Sequence, residues 1–204
     1  MNRFKAVVFD FGGVVELGEG GDIVKRIAES LSIPVDEFRK VYHRHNHLTN
    51  VNNMRWEDAI IEVVRVFDNS SSVERHVREM VRAHNATKFI NTDLLAIFSA
   101  LRRAGYKVAI LSNNTTDLRT RMEEKGITPL LDEIVISAEI GHQKPHKEAF
   151  DIAFKKLGVR PEEAIFVDDS PKSLEKAAEI GYQPILFKDN QQLKADLEKL
   201  GVRF

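Results

Sequence analysis

Short, unbroken apolar runs recur along the chain: Ala6 to Phe9, Val108 to Leu111, Ile134 to Ile136, Ala164 to Val167 and Pro184 to Phe187. None alternates apolar with polar positions, the pattern of strands covered on both faces. From the second run onward they are interleaved with helical spacing. Leu94, Leu95, Ile97, Phe98 and Leu101 form one such stripe before Gly105; Phe150, Ile152, Ala153, Phe154 and Leu157 form another before Gly158. Strand–helix alternation of this kind predicts an α/β fold, a doubly wound parallel (Rossmann-like) sheet.

The first run stands apart from this rhythm. Between Phe9 and Val108 no convincing strand pattern occurs, and the stretch reads instead as helices at about 21–31, 34–46, 55–67 and 72–85. Breaks come at Ser32 to Pro34 and at Asn69 to Ser72, while Gly18, Gly20 and Gly21 supply a hinge. A single crossover helix needs far less chain. The expectation is a core of residues 1–16 and 88–204 carrying an inserted α-helical cap of residues 17–87. An insertion after the first strand would stand over the sheet's carboxyl edge, placed to act as a lid.

Composition narrows the function classes. With 204 residues, 43% hydrophobic and 30% charged, and a formal net charge of −1, the chain reads as an ordinary globular protein. Its charge gives no reason to expect a nucleic-acid or membrane partner. Cysteine is absent, which excludes disulfides, thiolate metal sites and cysteine nucleophiles. The first run is too short for a signal peptide or membrane span, so the expected location is cytoplasmic. Oligomeric state has no readable signal.

The runs end in chemistry. Asp10 follows the first; Ser112, Asn113 and Asn114 end the second; Asp168, Asp169 and Ser170 follow Val167; Lys144 precedes Pro145 just before a helix. A parallel sheet brings such strand ends to one edge. A carboxylate, a hydroxyl with amides, an ammonium and paired carboxylates suit a phosphate beside a hard divalent cation.

Taken together, Phe9-Asp10-Phe11-Gly12-Gly13-Val14-Val15, Leu111-Ser112-Asn113, Lys144-Pro145 and Val167-Asp168-Asp169-Ser170 resemble the four ordered motifs of the haloacid dehalogenase superfamily. The helical insertion is similar to the cap of its phosphatases. The Asp-Phe-Gly-Gly start and paired aspartates resemble the group holding sugar-phosphate phosphatases and epoxide-hydrolase amino-terminal domains. The resemblance implies a phosphatase of a small phosphorylated metabolite, with Asp10 as the nucleophile forming an aspartyl-phosphate. It implies that Ser112, Asn113, Lys144 and Gly13 bind the phosphate, with Lys144 also holding the nucleophile. It implies Mg²⁺ on Asp10, Asp169 and the Gly12 carbonyl, with Asp168 bound directly or through water.

One position departs from the pattern. Most family phosphatases carry, two residues after the nucleophile, an aspartate that protonates the leaving group; here that residue is Gly12. General acid–base assistance is typically worth about 10²–10⁴-fold, so a slow enzyme favouring good leaving groups is expected. Two alternatives follow from Gly12: a metal-independent 2-haloacid dehalogenase, which needs no leaving-group acid, and a non-catalytic protein binding a phosphorylated ligand or a protein partner. In the segment His43-Arg44-His45-Asn46-His47, His43 and His47 are at i and i+4 on one helical face, but no His-Glu-x-x-His motif accompanies them and a hydrolytic zinc site needs a third ligand. One of them could stand in for the missing acid. Trp56 reads as packing between cap helices.

Overall fold

The computed structural model describes residues 3–19 and 21–204. Strand β1 (Ala6–Phe9) is central in a parallel sheet with β4 (Lys107–Ser112), β5 (Glu133–Ile136), β6 (Ala164–Asp168) and β7 (Gln183–Leu186). The order across the sheet is β5-β4-β1-β6-β7. The five apolar runs are therefore the five strands. Pro184, which cannot donate to a ladder, is on the edge strand β7.

The runs are apolar throughout because both faces of the sheet are buried. Val7, Phe9, Val108, Ile110, Ile165 and Val167 enter one core with Leu94, Phe98 and Leu101 of α5 (Thr92–Arg103) and Leu193 of α11 (Asn190–Lys199). The residues between them, Ala6, Val8, Ala109, Leu111, Ala164 and Phe166, enter the other with Phe150, Phe154 and Leu157 of α8 (Lys147–Leu157). Phe150 is central there, stacked on Tyr182 at 4.8 Å and edge-on to Phe166 at 5.2 Å.

The insertion holds α1 (Ile23–Ser30), α2 (Val35–Asn50), α3 (Trp56–Arg65) and α4 (Ser71–Ala86), close to the expected spans. Asp22 caps α1 through the Lys25 N–H and Ser70 caps α4 through the Val73 N–H. The helices bury Ile27, Phe38, Ile60, Val64, Val77 and Val81 in a cluster of their own. Trp56 packs against that cluster and donates to the Tyr42 hydroxyl at 3.2 Å, as a packing residue would.

The expectation of no strand before Val108 is corrected. Chain enters and leaves the insertion through an antiparallel ribbon, β2 (Glu16–Gly18) with β3 (Lys88–Ile90), on which the boundaries expected at 16/17 and 87/88 fall. Three-residue, half-exposed strands carry too little pattern to be read from sequence. Among the described residues, no helix is long and apolar enough to cross a membrane.

The remaining short helices are α6 (Asp117–Glu124), α7 (Ser137–Ile140), α9 (Pro171–Leu174) and α10 (Ala177–Ile180). The insertion reaches the loops ahead of α6 and α8. Asn50 donates to Gln143 Oε1 at 2.8 Å. Asn53 accepts from the Thr116 N–H at 2.8 Å and donates to the Thr116 hydroxyl at 3.0 Å.

Phe150→Ala is expected to destabilise the protein by about 3–5 kcal/mol, since a fully buried ring leaves a cavity in the aromatic cluster. Urea unfolding measures it.

Candidate active site

Three adjacent parallel strands present their carboxyl ends together. Ser112 ends β4, Asp10 follows β1 and Asp168 ends β6, with β1 in the middle. The Asp10 N–H donates to the Val167 carbonyl at 2.8 Å, extending the β1–β6 ladder by one residue and fixing where its side chain emerges. Lys144 reaches the same place from the loop between α7 and α8.

Lys144 is 4% exposed, and its ammonium lies 2.8 Å from Asp10 Oδ1 and 2.6 Å from Asp168 Oδ2. Phe166 is beneath it, the Nζ 5.0 Å from the ring centroid. Burial alone would push Lys144 down, but the charges of Asp10 and Asp168 outweigh it and hold the ammonium above its ordinary pKa. The other oxygen of Asp168 accepts from the Ser170 N–H at 2.8 Å, and Asp168 has no exposed surface. Burial and the Asp10 charge push Asp168 up, against the opposing pull of Lys144. Breaking a buried pair of this kind typically costs about 3–5 kcal/mol, because the remaining charge is left uncompensated.

Asp169 completes the cluster. One oxygen from each of Asp10, Asp168 and Asp169 lies within 4.8 Å of the others. Three carboxylates against one ammonium leave an excess of two negative charges when all are ionised. Burial, then Asp10 and Asp168, raise Asp169 to about 6, although part of its surface faces solvent. An all-oxygen set carrying that excess fits a hard divalent cation.

The glycines divide the turn after Asp10. Gly13 has φ +76°, and a Cβ there would collide with the Asp169 carboxylate, so the close approach of Asp169 depends on this glycine. Its N–H donates to the Glu16 carbonyl at 2.9 Å, closing the turn. Gly13, expected in the phosphate-binding set, thus has its N–H engaged within the turn. Gly12 differs. Its backbone is outside the left-handed region and a Cβ there would meet nothing within 4 Å.

Ser112 is brought to the edge as expected, 2% exposed and in register with Ile136. Asn113 is brought close but its side chain faces Lys144, accepting from the Lys144 N–H at 2.8 Å and donating to the Lys144 carbonyl at 3.0 Å. His45 and His47 turn Nδ1 to carbonyls of their own helix, Val41 and Arg44, and among the described residues no histidine joins the acidic cluster. Asn50, Asn53, Thr116 and Gln143 were not legible as a group; only Gln143, beside Lys144, carried a positional hint.

Residues 4–181 match the family model described as haloacid dehalogenase-like hydrolase, and the chain belongs to that family. It is 23% identical over 98% of its length to bifunctional epoxide hydrolase 2 of Rattus norvegicus, spanning only 39% of that protein. It is 37% identical to a glyceraldehyde 3-phosphate phosphatase of Methanopyrus kandleri over 46% of this chain and 42% of that one. The chain thus spans about two fifths of the length of these curated relatives. Among solved structures, a HAD phosphatase from Thermococcus onnurineus shares the fold with a TM-score of 0.66 at 19% identity, covering 98% of this chain and 99% of that one.

The raised Asp169 gives a signed pH effect. Its folded pKa of about 6 exceeds the unfolded value of 3.8, so the metal-free fold binds this proton more tightly and loses stability as pH rises through that window. In chelator, Asp169→Asn is expected to raise Tm at about pH 7.5, with the gain fading toward about pH 4. Tm against pH in chelator measures this. Gly13→Ala is expected to displace Asp169 and remove any rise in Tm on adding Mg²⁺, read by titrating Tm against Mg²⁺.

Proposed function

We propose that the chain is a magnesium-dependent phosphatase acting on a small, sugar phosphate-like metabolite through an aspartyl-phosphate on Asp10. The observation that carries this reading is the acidic cluster with its single buried lysine: Asp10 and Asp168 share Lys144, and Asp169 adds the uncompensated charge. Halide displacement has no use for that excess. Phosphoryl transfer does, because its catalysis is chiefly positioning and charge stabilisation.

Asp10 Oδ attacks phosphorus as the bond to the leaving oxygen breaks, and water then cleaves the acyl phosphate, releasing inorganic phosphate and restoring the carboxylate. Lys144 neutralises the phosphoryl oxygens and keeps Asp10 aimed, and the Ser112 hydroxyl donates to one of them. Asp168 holds Lys144. Asp10, Asp169 and the Gly12 carbonyl, with Asp168 directly or through water, would hold Mg²⁺, which when bound would supply further neutralisation of the transferring group. The helical insertion, residues 17–87, covers this edge as a cap, and excludes water when closed. No side chain at Gly12 protonates the leaving group.

Mg²⁺-dependent hydrolysis of p-nitrophenyl phosphate is expected, lost in Asp10→Asn. Gly12→Asp, for which the turn has open space, is expected to speed hydrolysis of an alkyl phosphate by about 10²-fold while p-nitrophenyl phosphate, whose leaving group needs no proton, changes little. The absent acid favours one second reading, 2-haloacid dehalogenation. Chloride release from 2-chloropropionate in chelator, with no turnover of any phosphate ester, would establish that reading instead.

A further inference from the structure

Lys144 presents a positioning problem that its two ion pairs do not solve. Its side chain is a long flexible stem, buried to 4% exposure, yet its backbone belongs to an irregular loop between α7 and α8 with no strand or helix to hold it. Loop backbone ordinarily wanders by more than a catalytic ammonium can tolerate. In this chain the loop is held by a side chain.

Asn113 follows directly after Ser112, the last residue of β4. Its carboxamide accepts from the Lys144 N–H at 2.8 Å and donates to the Lys144 carbonyl at 3.0 Å. Both main-chain polar groups of one residue are thus met by the two ends of one side-chain amide, a planar pairing with the shape of a backbone bridge. The sheet gains a lateral contact exactly where β4 stops, and Lys144 inherits the sheet's rigidity. Asn114, the neighbour, does different work: its Oδ1 accepts from the Thr115 N–H at 2.9 Å, and its N–H donates to Ser137 Oγ at 3.0 Å.

We propose that Asn113 is a positioning residue for Lys144: it clamps the Lys144 main chain to the end of β4 and so fixes the distance between the Ser112 hydroxyl and the Lys144 ammonium. For catalysis the proposal rests on the phosphatase reading above. Asparagine is specific to the task, since it alone among residues of this length offers an acceptor and a donor on one plane. Aspartate keeps the acceptor for the N–H but turns a second oxygen on the Lys144 carbonyl. Alanine offers neither.

Two readouts separate this from other roles. The first is independent of turnover: acetylation of Lys144 by acetic anhydride, followed by mass spectrometry in wild type, Asn113→Ala and Asn114→Ala. Lys144 is expected to be protected in wild type and in Asn114→Ala, and to be modified about tenfold faster or more in Asn113→Ala. Global unfolding is read separately, from the Tm of each variant followed by circular dichroism. The second is kinetic: with p-nitrophenyl phosphate, kcat of Asn113→Ala is expected to fall about 10- to 100-fold, with KM changed less than about threefold. Should the alanine variant not fold, Asn113→Asp replaces it, with intermediate losses expected on both readouts. Unchanged Lys144 protection in the folded variant overturns the proposal, as does equal exposure of Lys144 in Asn114→Ala. A raised KM with kcat intact also overturns it and makes Asn113 a ligand. If wild type turns over no phosphate ester, the phosphatase reading fails and the acetylation result still decides the clamp.

Discussion

One buried ammonium organises this molecule. Lys144 must stay charged inside the protein, and it does so only because Asp10 and Asp168 approach it from adjacent strands. That requirement reaches outward. The strands must be parallel neighbours for the two carboxylates to meet, and Phe166 must underlie the lysine. Asp168 needs the Ser170 N–H for its second oxygen, which fixes the start of α9. A charge that is costly to bury thus sets the register of a whole sheet edge.

Much of this could be read from the chain. The five strands were legible because each is buried on both faces, so their residues are uniformly apolar and stand out against amphipathic helices. The placement of Asp10, Ser112, Lys144 and Asp168 at one edge followed from strand ends in a parallel sheet. The small ribbon was not legible, because Glu16–Gly18 and Lys88–Ile90 are too short and half-exposed to leave a period. Nor were the orientations. That Asn113 turns to Lys144, and that the Gly13 N–H closes a turn, are matters of a few ångströms between loops, and residue type alone does not carry such information.

The two glycines show the same divide. Read as a pair they look alike, a flexible turn after a nucleophile. In space one is obligatory, since Asp169 occupies the volume a side chain would need, while the other faces open space. The missing acid at Gly12 is therefore a property of the chemistry and no concession to folding.

The helical insertion keeps its own apolar cluster and meets the rest of the chain through a three-residue ribbon and a few side-chain amides, Asn50 on Gln143 and Asn53 on Thr116. Its interior and the sheet's interior share no packing debt. Substitutions within the insertion's own cluster can accumulate without touching the edge that holds Lys144. A lineage built this way can redraw its insertion far faster than its strand ends.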